Sequence, residues 1–185
     1  MSKSGSTKEK LVASARELFW TRGYSNVSVR DITGSAGVDA ALVSRYFGGK
    51  QGLFEATLAE IPPWDALTAE PGELLKKAAE SFAHPFDPEA DVTNVFTMLL
   101  TNVIDPEMGG MIRELVQTEL ADPLTGKIDG PEARERAALL LAVLFGVALM
   151  RKNFRLEGLA DKSPEQLQAE IIRLGRVALE IRDQR

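Results

Sequence analysis

The sequence predicts an all-α protein of about nine helices. Apolar residues recur at steps of three and four along most of the chain, which is the period of an amphipathic helix. No stretch alternates apolar and polar residues in the manner of a half-buried strand. A capping-type residue also stands directly before a proline at several points, a pattern typical of helix starts. These start signals are Asp87-Pro88, Asp105-Pro106, Gly130-Pro131 and Ser163-Pro164.

The first predicted helix begins at a capping box formed by Ser6 and Glu9, and Gly23 ends it. A later helix runs from Lys50 to about Ile61 and stops at a pair of prolines, because proline has no amide donor and clashes with the preceding turn. The remaining helices follow from the start signals and the apolar stripes. They are predicted over residues 71–83, 88–104, 106–121, 131–155 and 164–183.

Residues 28–47 are predicted to form two short helices joined by a tight turn. Ser28 and Asp31 supply a second capping box, and Gly37 marks the turn, because glycine adopts left-handed backbone geometry without steric cost. Asp39 is expected to cap the second helix. The buried residues of that helix are predicted to be Leu42, Val43 and Phe47, and its outward residues are Ala40, Ala41, Ser44, Arg45 and Tyr46.

This pattern fits a helix-turn-helix whose second helix enters a major groove. Two short helices joined at a glycine also occur in helical proteins that bind no nucleic acid, so the motif alone leaves both interpretations open. The flanking residues 7–53 carry further short motifs at fixed spacings. These are Ala15…Leu18-Phe19, Arg22-Gly23-Tyr24, Ser28-Val29-Arg30-Asp31-Ile32, Ala36-Gly37-Val38 and Tyr46-Phe47-Gly48-Gly49-Lys50.

Together these motifs resemble the N-terminal DNA-binding domain of the TetR family of bacterial transcription regulators. The resemblance implies a DNA-binding domain over residues 1–50, with the helix-turn-helix motif at 28–47. It further implies a helical effector-binding and dimerisation domain over residues 51–185. Residues 130–159 also resemble a C-terminal domain of actinobacterial family members, and this likeness identifies no ligand.

The resemblance implies DNA contacts on both short helices and at the start of the next helix. Arg30 can reach a base, where its guanidinium suits guanine, or can act as a phosphate contact or a surface ion pair. The methyl groups of Ala40 and Ala41 can pack on a thymine methyl, or can simply let the backbone approach. The implied DNA-binding residues are Ser28, Arg30, Ala40, Ala41, Ser44, Arg45, Tyr46 and Lys50.

Tyr46 and Lys50 are expected to bind phosphate, helped by the amide groups at the start of the helix at Lys50. Ser28 can do the same through its hydroxyl or through the start of its own helix. The sequence departs from the family where Ser44 replaces a common tyrosine, Tyr46 a common histidine, and Gly49 a common serine or threonine. The resemblance therefore transfers the way the domain docks on DNA and leaves the operator sequence open.

Charge is distributed unevenly along the 185 residues, whose net charge is −5. Residues 1–54 carry a net charge of +4 and the rest of the chain −9, which fits a basic DNA reader joined to an acidic body. Cysteine is absent and His84 is the single histidine, so we expect no zinc site and no histidine-based catalytic triad. His84 is expected at a loop or helix end, with contact to a ligand as the alternative.

An enzyme is the function class that the sequence favours least. No carboxylates form a spaced pair among apolar residues, and no glycine loop of the phosphate-binding kind is present. We therefore expect no catalytic residue, no metal and no cofactor.

Residues 137–150 are apolar on every side, which predicts a helix buried all round. This run is shorter than the about 20 residues that span a bilayer, and residues 1–6 contain no apolar segment, so we expect a soluble cytoplasmic protein. The last helix has apolar residues in steps of four and three. Together the two helices predict a two-fold four-helix dimer interface, with a purely intramolecular core as the alternative. The interface residues are Leu141, Phe145, Leu167, Ile171, Leu174, Ala178 and Ile181.

The sequence thus favours a homodimeric repressor that binds a palindromic operator in double-stranded DNA through half-sites ~34–36 Å apart. A small hydrophobic effector is expected to enter a chamber among the middle helices and to favour a conformation that releases DNA. The alternative is a DNA-binding architectural protein with no small-molecule effector. The expected chamber residues, each of which can equally be ordinary core, are Phe82, Phe96, Leu100, Met111, Leu115, Phe145 and Leu149.

Overall fold

The protein, seen here as a computed structural model, is described over residues 3–59, 61, 64–83 and 91–180. Every regular element in these residues is helical and no strand occurs among them, which confirms the all-α prediction. Two of the candidate residues, His84 and Ile181, lie outside the described residues.

The described residues contain eleven α-helices. Short 3₁₀ turns lie at Tyr24–Asn26 and Pro71–Glu73, and a π-helical turn at Gln117–Ala121 joins the eighth helix to the ninth. In order, the helices are α1 (Lys3–Arg22), α2 (Val29–Ala36), α3 (Ala41–Phe47), α4 (Lys50–Leu58), α5 (Asp65–Thr68), α6 (Leu74–Ala83), α7 (Asp91–Asn102), α8 (Gly109–Val116), α9 (Asp122–Thr125), α10 (Ala133–Lys152) and α11 (Pro164–Leu179). If α8 and α9 are counted as one continuous stretch and the single turn α5 is set aside, the described residues contain nine helices, as predicted.

Two helices, α8 and α10, begin later along the chain than the sequence predicts. Regular α8 begins at Gly109 rather than at residue 106. The predicted start signal at Asp105 still forms, because its carboxylate accepts the amide N–H groups of Glu107 and Met108 at 2.9 and 3.0 Å in the manner of a helix N-cap. α10 begins two residues later than predicted, since Glu132 adopts the left-handed region with φ of 58°. A non-glycine residue in that region does not continue a right-handed helix.

Two further helix ends differ from the prediction, and one predicted helix start is confirmed. α1 begins at Lys3, upstream of the predicted start at Ser6, and α4 ends at Leu58, before the predicted end near residue 61. The start signal at Ser163 is confirmed. Its hydroxyl accepts the Gln166 amide at 3.3 Å, and the Gln166 side chain accepts the Ser163 amide at 3.0 Å.

The first of two compact units comprises Met1–Pro62 and Pro88–Arg113. Within it, α1 packs against α2, α4 and α7. Phe19, Tyr24 and Phe54 form an aromatic trio with ring centroids 5.4 Å apart in every pair. The predicted functional division at residue 50 concerns DNA and effector binding, which compactness does not test, and it stays a prediction.

The second unit comprises Pro63–Asp87 and Glu114–Arg185, and in it α11 packs against α6 and α10. The crossing of α11 with α6 is close because Gly175 has no side chain: a Cβ there would overlap the Leu75 side chain. Arg136 is 6% exposed. Its guanidinium donates to the Leu179 carbonyl at 2.9 Å and to the Asp129 carbonyl, which ties the end of α11 to the loop before α10.

Candidate nucleic-acid interface

The start of α2 is fixed by the predicted capping box. The Ser28 hydroxyl accepts the Asp31 amide at 3.1 Å, and the Asp31 carboxylate accepts the Ser28 amide and hydroxyl at 2.7 and 2.6 Å. The hydroxyl bond, with the amide bond beside it, holds the pKa of the Asp31 carboxyl below its ordinary value. Both donors of Ser28 are therefore already used inside the protein.

The turn between α2 and α3 forms at Gly37, as predicted. Its backbone is left-handed, with φ of 66° and ψ of 39°, and its amide closes α2 on the Thr33 carbonyl. The Asp39 carboxylate then accepts the Ala41 amide at 2.7 Å, which confirms Asp39 as the cap of the second helix. These two features set the angle at which α3 leaves α2.

The helix α3 has one buried and one outward face. Val43 is 1% exposed, whereas Leu42 and Phe47, predicted as buried, are half-buried. Tyr46 is also half-buried, and its ring centroid lies 6.4 Å from that of Phe47. The exposed candidate residues of this region are Ser28, Arg30, Ala40, Ala41, Ser44 and Arg45.

The junction between α3 and α4 is made of glycine. Gly49 has φ of 139°, a region that side chains avoid, and its carbonyl accepts the Leu53 amide at 3.1 Å. Gly52 was not singled out by the sequence. A Cβ at that position would overlap the Phe47 carbonyl oxygen, so the first turn of α4 rests directly on the end of α3. A glycine early in a helical run was the signal that could have found it.

Lys50, the first residue of α4, lies beside the aromatic trio. Its Nζ is 3.9 Å from the centroid of the Tyr24 ring and 5.9 Å from that of Phe19. An ammonium over a ring face is held by the negative potential of that face. Burial raises the pKa of the Tyr24 hydroxyl, and neighbouring carboxylates add to this shift. The Tyr24 ring thus positions the Lys50 ammonium at the edge of the candidate nucleic-acid interface.

The loop between α1 and α2 is held by Asn102, at the end of α7, and by Asp105, which follows it. The sequence did not single out Asn102, and it indicated Asp105 only as a helix start. Asn102 is fully buried; its amide group donates to the Phe19 and Met98 carbonyls at 3.1 and 3.0 Å, and its oxygen accepts the Tyr24 amide at 2.8 Å. The Asp105 carboxylate accepts the Ser25 amide at 3.0 Å. Every hydrogen-bonding atom of the Asn102 side chain is therefore in use.

The environment of Asp105 favours its ionised form. Partial burial by itself raises the pKa of the Asp105 carboxyl, but its hydrogen bonds from Ser25, Met108 and Glu107 outweigh burial, and the net pKa is lowered. The charged carboxylate is the form that holds the loop at Ser25.

The predicted chamber residues are divided between the two units. Phe96, Leu100 and Met111 belong to the first unit, and Leu115 and Leu149 to the second. The second unit also brings Phe82 and Phe145 together, with ring centroids 6.0 Å apart. Trp64, which the sequence did not single out, has its ring centroid 5.8 Å from that of Phe82.

The predicted dimer residues differ in accessibility. Leu174 is 36% exposed and Phe145 is half-buried. The chain's own helices cover the other described members, which leaves little of those side chains for a partner. These buried residues are Leu141, Leu167, Ile171 and Ala178.

The described part of the chain contains no group of three or more histidine, aspartate or glutamate side chains placed to hold a metal ion. None of the described helices is both long and apolar enough to cross a membrane.

Comparison with known proteins gives matches in sequence and in structure. The family model described as bacterial regulatory proteins, tetR family, matches residues 11–57, and the model described as Tetracyclin repressor-like, C-terminal domain, matches residues 73–174. The HTH-type transcriptional regulator YttP of Bacillus subtilis (strain 168) is 49% identical over 55 residues. That segment covers 30% of this chain and only 27% of YttP.

Solved structures share the fold over almost the whole chain. NalD of Pseudomonas aeruginosa, the secondary repressor of the MexAB-OprM multidrug efflux pump, has a TM-score of 0.71 at 18% identity, covering 98% of this chain and 100% of NalD. A transcriptional regulator of Rhodococcus sp. RHA1 has a TM-score of 0.66 at 25% identity, covering 93% of this chain and 95% of the regulator.

Proposed function

The chain belongs to the TetR family of bacterial transcription regulators, and on that premise we propose that it is a sequence-specific repressor of transcription. It binds a palindromic operator in double-stranded DNA as a homodimer in the cytoplasm, and a small hydrophobic effector releases it. Residues 1–50 carry DNA binding, and residues 51–185 carry effector binding and dimerisation. Regulation, and no catalysis, is the proposed activity.

The observation that carries the proposal is the outward face of α3. Ala40, Ala41, Ser44 and Arg45 are exposed together on a helix whose opposite side is anchored by the buried Val43. Small and polar side chains on that face let the helix backbone approach base edges. The net charge of +4 over residues 1–54 supports attraction to phosphate, which requires local and not total positive charge.

We assign the contacts as follows. Arg30 and Arg45 read bases or neutralise phosphates, while Tyr46 and Lys50 bind phosphate and set the register. Because both donors of Ser28 are bonded to Asp31, Ser28 contributes through the start of α2 rather than through its hydroxyl. Base contacts then determine which sequence is bound.

We propose that the homodimer forms through the outward apolar stripes of α10 and α11, whose inner seams are buried by the chain itself. Leu174 and Val177 are 36% and 58% exposed, and Met150 is 37% exposed. Ala138 and Ala142 are also exposed. They lie four residues apart, and Met150 follows Ala142 by eight residues, so all three fall on one face of α10. A two-fold axis here pairs the same patch of both subunits.

The effector proposal depends on linkage. An effector that prefers the conformation with mismatched half-site spacing must weaken DNA binding by the same factor by which DNA weakens effector binding. Of the residues predicted from the sequence, those in the second unit remain the proposed chamber: Phe82, Leu115, Phe145 and Leu149.

The test measures, by fluorescence anisotropy, how tightly the protein binds a labelled DNA duplex. The duplex carries an inverted repeat taken from the promoter next to the protein's own gene. We expect two chains per site and at least about a thousandfold weaker binding to a duplex of scrambled sequence. Equal affinity for both duplexes would instead support the architectural alternative. A Val177→Glu variant should sediment as a monomer and lose operator affinity; a stable dimer would contradict the proposed interface.

A further inference from the structure

The second unit contains an aromatic cluster of Trp64, Phe82 and Phe145. Phe82, on α6, contacts both other rings: it meets Trp64 edge-on at 81° and Phe145, on α10, at a tilt of 36°. Phe82 is 4% exposed, while Trp64 and Phe145 keep part of their surface open. The cluster is therefore closed at its centre and accessible at its two ends.

Trp64 carries a polar atom whose hydrogen bond is not made. Its indole Nε1 is buried and has no hydrogen-bond partner in the described part of the chain. The other tryptophan is different, since Trp20 Nε1 donates to the Thr57 hydroxyl at 3.2 Å. Buried donors in native proteins are almost always paired, so an unpaired one needs a physical explanation.

Water does not explain the unpaired donor well. A buried water needs two to four polar partners, and the three rings of the cluster supply only the one indole N–H. An acceptor that belongs to an otherwise apolar molecule needs only that one donor. Flat aromatic surfaces favour stacked or edge-on neighbours, and a charged group would lose its hydration against them.

We propose that the Trp64 cluster binds a flat, uncharged, apolar molecule carrying one hydrogen-bond acceptor, such as a ketone or ester carbonyl, and that Trp64 Nε1 donates to that acceptor. This inference rests on the proposed effector-released repressor and names the chemical class of its effector. The ring of Phe145, which keeps part of its surface open, supplies the stacking surface, and the indole N–H discriminates between molecules of similar shape.

The experiment uses two probes of matched shape, 2-acetylnaphthalene and 2-ethylnaphthalene, which differ by the carbonyl oxygen. Affinities are measured by calorimetry on the full-length protein, the Trp64→Phe variant and the Trp20→Phe variant. Trp64→Phe should weaken binding of the ketone by about fivefold and change binding of the hydrocarbon by less than twofold. Trp20→Phe should leave both affinities unchanged, and thermal melting verifies that each variant is folded.

A second variant separates stacking from hydrogen bonding. Phe145→Leu removes ring surface and no donor, so it should weaken both probes by the same factor. An equal loss of both probes in Trp64→Phe, an unchanged ketone affinity in that variant, or no binding of either probe to the unmodified protein would overturn the inference.

Promoter binding measured on the same samples distinguishes this inference from the proposed function. Promoter binding without any Trp64-dependent difference between the probes would contradict the effector class alone. Trp64-dependent ketone binding without promoter binding would support the cluster as a site and contradict the repressor. If both hold, saturating ketone should weaken promoter binding in the unmodified protein more than in Trp64→Phe.

Discussion

The two compact units treat their buried polar groups differently. In the first unit, the side chain of Asn102 uses all its hydrogen-bonding atoms, and Trp20 donates to Thr57. In the second unit, Trp64 Nε1 and Arg136 Nε are buried without a partner in the described part of the chain. The complete bonding of Asn102 fixes the end of α1 against α7 in one geometry, whereas the unpaired donors of the second unit leave hydrogen-bonding capacity, which our proposal assigns to a ligand.

The largest expected effect comes from breaking the hydrogen bonds of Asn102. Asn102→Leu keeps the volume but leaves the buried Tyr24 amide without its acceptor. It also removes one of the two donors to the Phe19 carbonyl, which still accepts the Gly23 amide at 3.1 Å. We expect the free energy of unfolding to fall by about 3 kcal/mol. Urea unfolding followed by circular dichroism measures it, with the exposed Asn153→Ala as control, expected within about 0.5 kcal/mol of the unmodified protein. A loss in Asn102→Leu as small as that of the control would remove the contrast between the units.

The junction of α3 and α4 gives the next effect. Gly52→Ala pushes a methyl group into the Phe47 carbonyl, and we expect a loss of about 2 kcal/mol in stability together with weaker operator binding. Gly34→Ala is the matched control, because its Cβ would meet nothing within 4 Å; it should stabilise α2 by about 0.5–1 kcal/mol. Urea unfolding measures the stability of both variants, and fluorescence anisotropy measures their operator binding. Similar results for the two variants would show that the α3–α4 junction accommodates the added methyl group.

DNA binding sharpens the comparison within the first unit. Arg30→Ala should cost about 1–3 kcal/mol of discrimination at one base pair if Arg30 reads a base. Lys50→Ala should weaken all duplexes about equally and reduce the slope of log affinity against log salt by about one. Titrations at several salt concentrations on operator and point-substituted duplexes measure both. An unchanged salt slope in Lys50→Ala would exclude its phosphate contact.

The second unit should tolerate loss of its buried guanidinium better. Arg136→Met removes an incompletely bonded charged group together with its hydrogen bonds to the Leu179 and Asp129 carbonyls. Because Asp129 is exposed and Leu179 is half-buried, we expect water to replace these two bonds. We expect a loss of about 1 kcal/mol or less, against about 3 kcal/mol for Asn102→Leu. Unfolding of the two variants side by side decides it: equal losses would mean that both units depend on their buried polar groups alike.

The smallest effect is that of pH at the start of α2. Because the folded state lowers the pKa of the Asp31 carboxyl, its contribution to stability is present above the unfolded pKa of about 4 and is lost as pH falls through the folded pKa. Asp31→Asn should therefore flatten the acid side of the stability profile, and Ser28→Ala should flatten it in part. Unfolding between pH 6 and about pH 3 measures this, and an unchanged acid slope in both variants would contradict the capping bond.

The sequence predicted those parts of the interface whose partners lie close together along the chain. Ser28 and Asp31 are three residues apart, and Asp39 caps an amide two residues away. Asn102 was missed because its partners are up to 83 residues distant, and a lone asparagine at the end of an apolar helix has no local signature. Gly52 did carry a local signal, a glycine early in a helical run, but only the packed structure shows the Phe47 carbonyl that lies against it.

The last helix shows a different limit. Its apolar steps of four and three correctly indicated a face to be covered, but a periodic pattern does not specify what covers it. Leu167 and Ile171 are fully buried by the chain's own helices, while Val177 on the same helix is 58% exposed. Buried and exposed apolar residues are interspersed along α11, so their spacing alone predicted a single apolar surface.

The close crossing at Gly175 has a practical consequence for spectroscopy. Because only a hydrogen separates the α11 backbone from the Leu75 side chain there, a movement of α11 toward α6 would first have to displace that side chain. A spin label attached at exposed Arg173 or Arg176 would report the position of α11 close to this crossing. Interspin distances between two such labels would measure directly whether α11 moves in the presence of a candidate effector.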